Sequence, residues 1–391
     1  MLLKIDANFT VTDIQVFIVI HFLLSLGQSD IHYRIQVKKF RLIFAAIRLI
    51  MHKEFIIHEP FQLENGQTLP GLTIAYHSYG TLNEQKDNVV WVCHALTASS
   101  DVFSWWPGLV GEGCVINPEE HFIVCANIPG SCYGSSGPLS IDAATQEAFY
   151  ADFPLVTIRD IVQANMLLRK ELGVDKIKLL MGGSMGGYQV LEWAIMEPMV
   201  IQNSFVITSS ASESAWGIAI HATQRLALEA DASLKERSAT AGTNGIKAAR
   251  GIGMLSYRNY QTFVIKQTDP DFSKIDGFKA ASYIQYQGDK LADRFNAQSY
   301  WLLTKTMDSH NIARNRYATL EEALKNIQQP TLIIGIEGDI LCPLPEQEFL
   351  AKYIPNAHYK TIQSDYGHDG FLIEASAIST ILKNWMIEKN I

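Results

Sequence analysis

The sequence has few cysteines, no excess of positive charge and no repeated or low-complexity stretch. Its five cysteines, among 391 residues, include no Cys-x-x-Cys pair and no spacing typical of a zinc site. An odd number of cysteines without a disulfide framework is typical of a reducing compartment, so we expect a cytoplasmic protein without a metal. The net charge is −8 with both signs scattered along the chain, which argues against nucleic acid as a partner.

Long apolar runs are also lacking. The run at 14–26 is shorter than the roughly 20 residues of a membrane-spanning helix, and no clear signal-peptide cleavage site follows it. A basic and apolar stretch occupies 38–50. Three interpretations of residues 1–50 stay open: an extension upstream of a functional start at Met51, a surface-docked or membrane-peripheral helix pair, and a targeting segment. We place residues 1–50 outside the predicted fold and expect no integral membrane association.

From residue 51 onward the chain alternates between short apolar runs and helical patterns. Strands at the sheet edge are predicted at 55–57 and 72–76, with a turn at 64–66 between them. Nearly continuous apolar runs are typical of strands that are buried in a parallel sheet. Such runs occur at 88–92, 122–126, 176–181, 203–208 and 330–336, and the last strand is predicted at about 358–362.

Helical patterns separate these runs, notably at 157–172, 188–197 and 372–387. Alternating strands and helices predict an α/β fold, in which a mostly parallel central sheet carries helices on both faces.

Residues 211–310 break this alternation, because they contain helical patterns but no convincing central strand. We therefore expect an α/β core of residues 51–210 and 311–391, with residues 211–310 inserted as a helical lid. Lid helices are predicted at 215–231, 245–257, 278–287 and 293–307.

The strongest motif is Gly-x-Ser-x-Gly at 182–186, between the strand predicted at 176–181 and the helix predicted at 188–197. In this setting the motif is typical of the nucleophile elbow of an α/β-hydrolase. The tight turn forces the serine into a strained backbone conformation that only small neighbours tolerate. Ser184 is therefore the predicted nucleophile, and the N-terminus of the following helix would stabilise a developing oxyanion.

A nucleophilic serine requires an acid and a histidine base, which follow it in that order in this fold. Asp339 lies just beyond the strand at 330–336, and His368 lies on a glycine-flanked loop after the last strand. Catalytic groups of such sheets gather at the carboxyl ends of the strands. We expect His368 to take the serine proton and Asp339 to hold the imidazole tautomer. Glu337 competes for the acid role, and His94 is the nearest rival base although it precedes the serine.

Two backbone N–H groups form the oxyanion hole in this fold. One belongs to the residue after the nucleophile, which is Met185. The other belongs to the loop after an early strand, where Leu96 and Thr97 are both candidates.

Several further segments form a collinear set that extends from Met51 to the C-terminus. They are His-Ala-Leu-Thr at 94–97, Gly-Ser-Cys-Tyr-Gly-Ser-Ser-Gly-Pro at 130–138, Phe-Pro-Leu-Val-Thr-Ile-Arg-Asp at 153–160, the elbow at 182–187, 249–250 with 254–258, 286–288 with 294–295, and Tyr-Gly-His-Asp at 366–369. This set closely resembles the homoserine O-acetyltransferases, an α/β-hydrolase-fold family of methionine biosynthesis. Residues 1–50 have no counterpart in that family.

The resemblance implies a two-step reaction in which acetyl-CoA, as co-substrate, acetylates the serine and the γ-hydroxyl of L-homoserine then receives the acetyl group. It matches Ser184, Asp339 and His368 to the catalytic triad, and Leu96 and Met185 to the oxyanion donors. It also implies a homodimer formed through the lid helices, and no metal or tightly held cofactor.

The resemblance also implies a binding site for homoserine. It matches Arg250 to the residue that holds the carboxylate and Asp369 to the residue that receives the amine, with Tyr257 near the same helix face as Arg250. A zwitterionic amino acid needs one cation and one anion, and a forked guanidinium suits a carboxylate. The plainer alternatives are a solvated helix residue for Arg250 and a helix cap for Asp369.

Other functions stay open. A succinyl-CoA-dependent homoserine or serine O-acyltransferase would share the mechanism, whereas a serine esterase or thioesterase would share the triad without needing Arg250 and Asp369. A non-catalytic binding protein would not need an intact triad. The chain departs from the family's usual residues at Ala98, Pro129 and Ser131, near the predicted site entrance, where such changes bear on the choice of acyl donor.

Overall fold

A central sheet of eight strands runs through the residues that the computed structural model describes, 52–391; the predictions for residues 1–50 and for a start at Met51 lie outside this range. The strands, including those of a separate hairpin, are β1 His52–Ile57, β2 Phe61–Gln62, β3 Thr68–Leu69, β4 Leu72–Tyr79, β5 Val89–Cys93, β6 Phe122–Ala126, β7 Leu179–Gly183, β8 Ser204–Ile207, β9 Thr331–Glu337 and β10 Ala357–Gln363.

The strand order in the central sheet is β1-β4-β6-β5-β7-β8-β9-β10, and β2 pairs with β3 in the hairpin. All neighbouring pairs from β6 to β10 across the sheet are parallel. β4 alone runs opposite to the other strands of this sheet, since it is antiparallel to both β1 and β6. The mostly parallel α/β sheet predicted from the sequence is confirmed.

Helices flank this sheet on the described part of the chain. None of the helices within residues 52–391 combines the length and apolar character that crossing a membrane requires. The α-helices are α1 Val102–Trp105, α2 Ile158–Glu171, α3 Met185–Met196, α4 Ala215–Glu229, α5 Thr243–Tyr257, α6 Tyr260–Gln267, α7 Lys279–Ala292, α8 Ala297–Asp308, α9 Leu320–Lys325, α10 Leu344–Tyr353, α11 Gly370–Ile373 and α12 Ala375–Lys389.

The middle of the sheet is buried on both faces. Every residue of β5 and every residue of β7 is buried, as the continuous apolar runs require. Trp91 of β5 meets Trp193 of α3 edge to face, with ring centroids 5.1 Å apart. Buried aromatic side chains each remove roughly 150–250 Å² from water. This packing fixes α3 against the sheet and therefore fixes the turn between β7 and α3.

A buried ionic network joins distant parts of the chain beside α2 and α3. Arg159 of α2 pairs with Glu64 of the β2–β3 loop at 2.6 Å and with Glu192 of α3 at 2.7 Å. Arg314 also reaches Glu64, and Arg316 also reaches Glu192, each at 2.6 Å. Because residues 314 and 316 follow α8, the network connects the chain after α8 to α2, α3 and the β2–β3 loop.

The stretch between β8 and β9 contains α4 to α9, and among the described residues no strand of the central sheet falls within it. Gly288 of α7 lets two of these helices approach closely, because a Cβ there would lie 2.9 Å from the carbonyl oxygen of Lys247 in α5. The helix-rich character expected for residues 211–310 is present. The division into core and lid stays a prediction.

Several predictions about individual strands and helices are wrong. Residues 72–76 were expected at the sheet edge, but β4 lies between β1 and β6 and is paired on both sides. The helix expected at 293–307 starts at Ala297, because Asn296 caps it by accepting a hydrogen bond from the Ser299 N–H. Residues 260–267 form α6, which the sequence pattern did not indicate.

The closing helix expected at 372–387 is also not continuous. It is divided into α11 and α12 at Glu374, whose backbone angles of φ −84° and ψ 39° are not helical.

Candidate active site

Ser184 occupies the turn between β7 and α3 with φ 55° and ψ −128°. A positive φ on a residue with a side chain costs roughly 1–3 kcal/mol and marks functional turns. Two glycines make the turn possible. A Cβ on Gly186 would lie 2.2 Å from the carbonyl oxygen of Cys93, and a Cβ on Gly182 would lie 2.5 Å from the Gly186 carbonyl.

The turn is tighter than the sequence pattern indicated. The strand that was expected to end at residue 181 continues to Gly183, and the helix that was expected to begin at residue 188 begins at Met185. Ser184 alone therefore separates strand from helix, at the carboxyl edge of the sheet.

Ser184, His368 and Asp339 form one hydrogen-bonded chain. The Ser184 Oγ lies 2.9 Å from Nε2 of His368, whose Nδ1 lies 2.8 Å from Oδ2 of Asp339. The other carboxylate oxygen of Asp339 accepts the N–H groups of Leu341 and Cys342 at 2.8 and 2.9 Å. Since this carboxylate is held on both sides, it orients the imidazole with Nδ1–H towards Asp339 and the Nε2 lone pair towards the serine.

His368 is buried beside several carboxylates. Burial lowers the pKa of its imidazole, but the charge and hydrogen bond of Asp339 raise it, and the charges of Asp369 and Glu213 add to that effect. The carboxylates prevail, so the pKa of His368 lies above its ordinary value. A raised pKa makes the imidazole a stronger base towards the serine hydroxyl.

The predicted oxyanion donors flank the serine. Among residues 52–391, no acceptor is found for the backbone N–H of Leu96 or of Met185. Met185 is the first residue of α3, where the helix dipole is positive, and Leu96 lines the same cavity as Ser184. Both groups are thus free to donate to an oxyanion. The carbonyl of the alternative donor Thr97 accepts a hydrogen bond from Arg294 at 2.6 Å.

His94, the rival base, forms its hydrogen bonds with backbone groups and not with the serine. Its Nδ1 lies 2.9 Å from the Ala95 carbonyl oxygen, and its Nε2 lies 3.1 Å from the Ile128 N–H. Burial lowers the pKa of His94 to about 4. The ring is therefore neutral near pH 7, with the proton on Nδ1 donated to Ala95 and Nε2 accepting from Ile128.

Arg250 and Tyr257 lie together on α5. The Arg250 guanidinium lies over the Tyr257 ring, 5.5 Å from its centroid, and that ring lies 5.9 Å from the His368 ring. The Arg250 Nε is buried and has no hydrogen-bond partner among the described residues. A buried guanidinium donor without a partner is costly. Arg250 also lines the cavity, so its guanidinium is placed to meet a carboxylate that enters.

Asp369 follows His368 and faces a second arginine. The Arg258 Nε lies 3.3 Å from Oδ2 of Asp369. Burial raises the pKa of Asp369, against the opposing charges of Arg258, His368 and Arg250. Arg258 lies inside the segment at 254–258 that carried the resemblance, but no role was predicted for it. Its position directly after Tyr257 was the signal that could have identified it.

Glu213 is a second functional candidate that the sequence did not reveal. It lies beyond the carboxyl end of β8, and its Oε2 accepts the Tyr188 hydroxyl at 3.0 Å. Burial raises the pKa of its carboxyl, against the charge of His221 and the bond to Tyr188. Its position after a central strand was a usable signal, since functional groups gather at that edge.

These groups line one cavity of about 640 Å³. Residues from the stretch predicted as the lid, 211–310, and residues from outside it both contribute to its walls. Side chains that line it include Leu96, Ala98, Ser184, Glu213, Arg250, Tyr257, Arg258, His368 and Asp369.

Three possible metal-ligand atoms also meet in this cavity. Those of Asp339, Cys342 and His368 lie within 4.8 Å of one another. Burial raises the pKa of the Cys342 thiol well above its ordinary value, and metals bind the thiolate. The hydrogen bond between Asp339 and His368 occupies the other two ligands, so the donor set fits a triad better than a metal site.

Comparison with known proteins assigns the chain to a family. A family model described as the alpha/beta hydrolase fold matches residues 88–375. A homoserine O-acetyltransferase from Cyclobacterium marinum is 45% identical over 336 residues, covering 86% of this chain and 95% of the relative. This chain belongs to the homoserine O-acetyltransferase family. The resemblance seen in the sequence is confirmed.

Solved structures share the fold of this family member. A homoserine O-acetyltransferase from Bacillus anthracis matches with a TM-score of 0.79 and 21% identity, over 85% of this chain and 96% of that one. Esterase E22 matches with a TM-score of 0.77 and 19% identity, over 86% and 100%. At such identities the likeness shows the fold alone. Transferases and esterases share this fold, so the family assignment depends on the sequence relatives.

The three positions at which this chain departs from the family's usual residues, Ala98, Pro129 and Ser131, differ in their relation to the cavity. Ala98 lines the cavity of this homoserine O-acetyltransferase family member, whereas Pro129 and Ser131 are not among the lining residues. Of the three, only Ala98 is placed to contact an acyl donor directly.

Proposed function

We propose that the protein is a homoserine O-acetyltransferase that moves the acetyl group of acetyl-CoA to the γ-hydroxyl of L-homoserine. The observation that carries this proposal is the shared cavity. Ser184, His368 and Asp339 form a hydrogen-bonded chain, and the guanidinium of Arg250 and the carboxylate of Asp369 line the same cavity. An esterase for apolar substrates would not need that second pair of charges.

In the first step Ser184 attacks the thioester carbonyl. His368 Nε2 takes the hydroxyl proton as the C–O bond forms, and Asp339 stabilises the resulting imidazolium. The negative charge on the thioester oxygen would be stabilised by the N–H groups of Leu96 and Met185, each such donor being worth roughly 10²–10³ in kcat. The C–S bond then breaks, and the CoA thiolate leaves with the proton held by His368.

In the second step the γ-hydroxyl of homoserine gives its proton to His368 and attacks the acetyl carbonyl on Ser184. The same N–H groups stabilise the new oxyanion. Its collapse breaks the bond to the serine, whose oxygen recovers the proton from His368. O-acetyl-L-homoserine leaves, and no metal or resident cofactor is needed.

The charges in the cavity suit a zwitterionic acceptor. We assign the homoserine carboxylate to Arg250, whose buried Nε lacks a partner among the described residues, and the ammonium to Asp369. The Tyr257 ring lies beside both the Arg250 guanidinium and the His368 ring. Arg258 already pairs with Asp369, so a bound ammonium would share that carboxylate with Arg258.

We also propose a homodimer formed through the lid helices and a cytoplasmic location. Large apolar side chains are exposed at Tyr260, Ile265, Phe272 and Ile275 in the lid region, and exposed patches of this kind mark interaction surfaces. All five cysteines are free, which suits a reducing compartment.

The test follows free thiol release from acetyl-CoA, with and without L-homoserine, together with mass spectrometry of the protein and of the product. We expect sustained release only with homoserine, formation of O-acetylhomoserine, and an acetyl-sized mass increase on the protein when homoserine is omitted. Ser184→Ala should abolish all three.

Arg250→Gln should weaken homoserine binding by about 10–100-fold, the value of a charged hydrogen bond. The control variant Arg237→Gln, on the surface of the lid region, should leave homoserine binding unchanged.

Two outcomes would overturn the proposal. Steady thiol release without homoserine would identify a thioesterase. Turnover with succinyl-CoA but not with acetyl-CoA would keep the mechanism and change the donor.

A further inference from the structure

The cavity has a basic edge that the proposed chemistry does not use. Lys290 of α7 and Arg294, two residues beyond α7, both line it and are both exposed. Gln287 lines it as well, and its spacing of three residues from Lys290 places both on one face of α7. We call Lys290 and Arg294 the basic rim.

Arg294 is held in place by two loops of the active site. Its Nη1 donates to the Thr97 carbonyl at 2.6 Å and also to the Tyr133 hydroxyl, and its Nη2 lies 3.5 Å from the Thr97 Oγ1. A guanidinium has five N–H donors. The Nε–H and one Nη2–H are left, and a pair of neighbouring donors of this kind binds a phosphate bidentately.

Lys290 is free to join such a contact. No ion pair or hydrogen bond of its ammonium is found among residues 52–391. The neighbouring acid, Asp289, is engaged by Lys247 at 2.8 Å, and Asp293 does not line the cavity. The carboxyl end of α7 opposes an anion with only about half an elementary charge, whereas the rim carries two full positive charges.

We propose that the basic rim binds the phosphate groups of the acyl-CoA donor. This inference rests on the proposed function, because a thioester that reaches Ser184 must pass its pantetheine arm along the cavity and leave its phosphates outside. The Thr97 loop also contains the predicted oxyanion donor Leu96. Arg294, which would bind the phosphate, is therefore the same residue that holds this loop through the Thr97 carbonyl.

The test compares equilibrium binding of CoA with that of pantetheine, which lacks the phosphates. We expect Lys290→Gln to weaken CoA binding by about 10-fold, as the loss of a charged hydrogen bond predicts, and to change pantetheine binding much less. The matched control is Lys279→Gln, an exposed lysine on the same helix that does not line the cavity; its affinities should equal those of the wild type. Added salt should weaken CoA binding more in the wild type than in Lys290→Gln.

A second variant covers the possibility that one substitution disturbs the fold. Arg294→Lys keeps the charge but loses the fork, so it too should lower the CoA affinity relative to pantetheine. Equal ratios of CoA to pantetheine affinity in the wild type, Lys290→Gln and Arg294→Lys would overturn the inference. Because the measurement needs no turnover, phosphate-dependent CoA binding without acetyl transfer would overturn the proposed function and leave the rim assignment standing.

Discussion

The peptide unit between Ala95 and Leu96 contains the Leu96 N–H, a predicted oxyanion donor. His94 forms a hydrogen bond to the carbonyl oxygen of the same peptide unit. In a trans peptide the C=O and the following N–H point in opposite directions. Because Nδ1–H of His94 grips the Ala95 carbonyl oxygen, the Leu96 N–H is directed to the opposite side. His94 is therefore a positioning residue.

We expect His94→Asn to lower kcat by about 10–100-fold, approaching the cost of losing one oxyanion donor, with little change in the KM for homoserine. Steady-state kinetics with both substrates measure this. The effect should be the same across neutral and alkaline pH, since the pKa of His94 is about 4 and the ring stays neutral there. A parallel rise in KM would indicate general damage to the cavity instead.

Glu213 acts through its charge on His368, the proposed base. The carboxylate helps to raise the pKa of His368, and His368 must be neutral to accept the serine proton, so kcat/KM falls as the pH decreases through that pKa. Glu213→Gln removes the charge and lowers the pKa of His368. The acidic limb of the pH profile should therefore move to lower pH, whereas Glu229→Gln, a lid residue bonded to Trp301, should leave it in place.

The three triad residues were predicted from the chain itself, because each is placed by local chain geometry. Arg250, Tyr257 and Asp369 were predicted only through the family resemblance. Ser184 is specified by its flanking glycines, and Asp339 and His368 by the ends of strands. Glu213 and Arg258 were not predicted, because their roles depend on partners brought together by the fold, namely Tyr188 for the first and Asp369 for the second.

At the scale of elements, the ionic network around Glu192 connects α3 to the chain that returns from the lid. The Glu192 side chain is 3% exposed and bonds Arg159 and Arg316. Removing one member of a buried ion pair leaves an uncompensated charge and costs about 3 kcal/mol or more.

We therefore expect Glu192→Gln to lower the free energy of unfolding by about 3 kcal/mol, measured by urea denaturation. Glu171→Gln, at the exposed end of α2, provides the matched control and should change stability by less than about 0.5 kcal/mol. A loss below about 1 kcal/mol for Glu192→Gln would mean that the arginines find other partners.

Element boundaries were predicted less well than element types, for a physical reason. The break between α7 and α8 depends on Asn296 capping a new helix, and the break at Glu374 depends on a single non-helical residue. Apolar periodicity continues across Glu374, so a pattern-based prediction joins α11 and α12. The helices α7 and α8 were predicted separately, but the start of α8 was placed at residue 293, because apolar periodicity does not reveal the cap at Asn296. The buried strands were easier to predict, because a strand that is covered on both faces needs apolar side chains at nearly every position.

At the scale of the whole molecule, four large apolar side chains in the lid region are exposed to solvent. Phe272 is 96% exposed, Ile275 is 93% exposed, and Ile265 and Tyr260 are each 80% exposed. Water contact of apolar area costs roughly 25 cal/mol per Å², so a partner surface that covers these side chains would be stabilising. The proposed homodimer supplies such a surface.

We expect the wild type to be dimeric and the double variant Phe272→Asp/Ile275→Asp to shift towards monomer, as measured by light scattering after gel filtration over a range of concentrations. Met199→Asp is the matched control, since Met199 is 78% exposed but lies between α3 and β8, outside the lid region. Its mass should equal that of the wild type. A monomeric wild type, or a double variant that stays dimeric, would place the apolar surface outside the interface.

Because the lid region supplies Arg250 and Tyr257 to the cavity, we also expect the monomer to bind homoserine more weakly than the dimer.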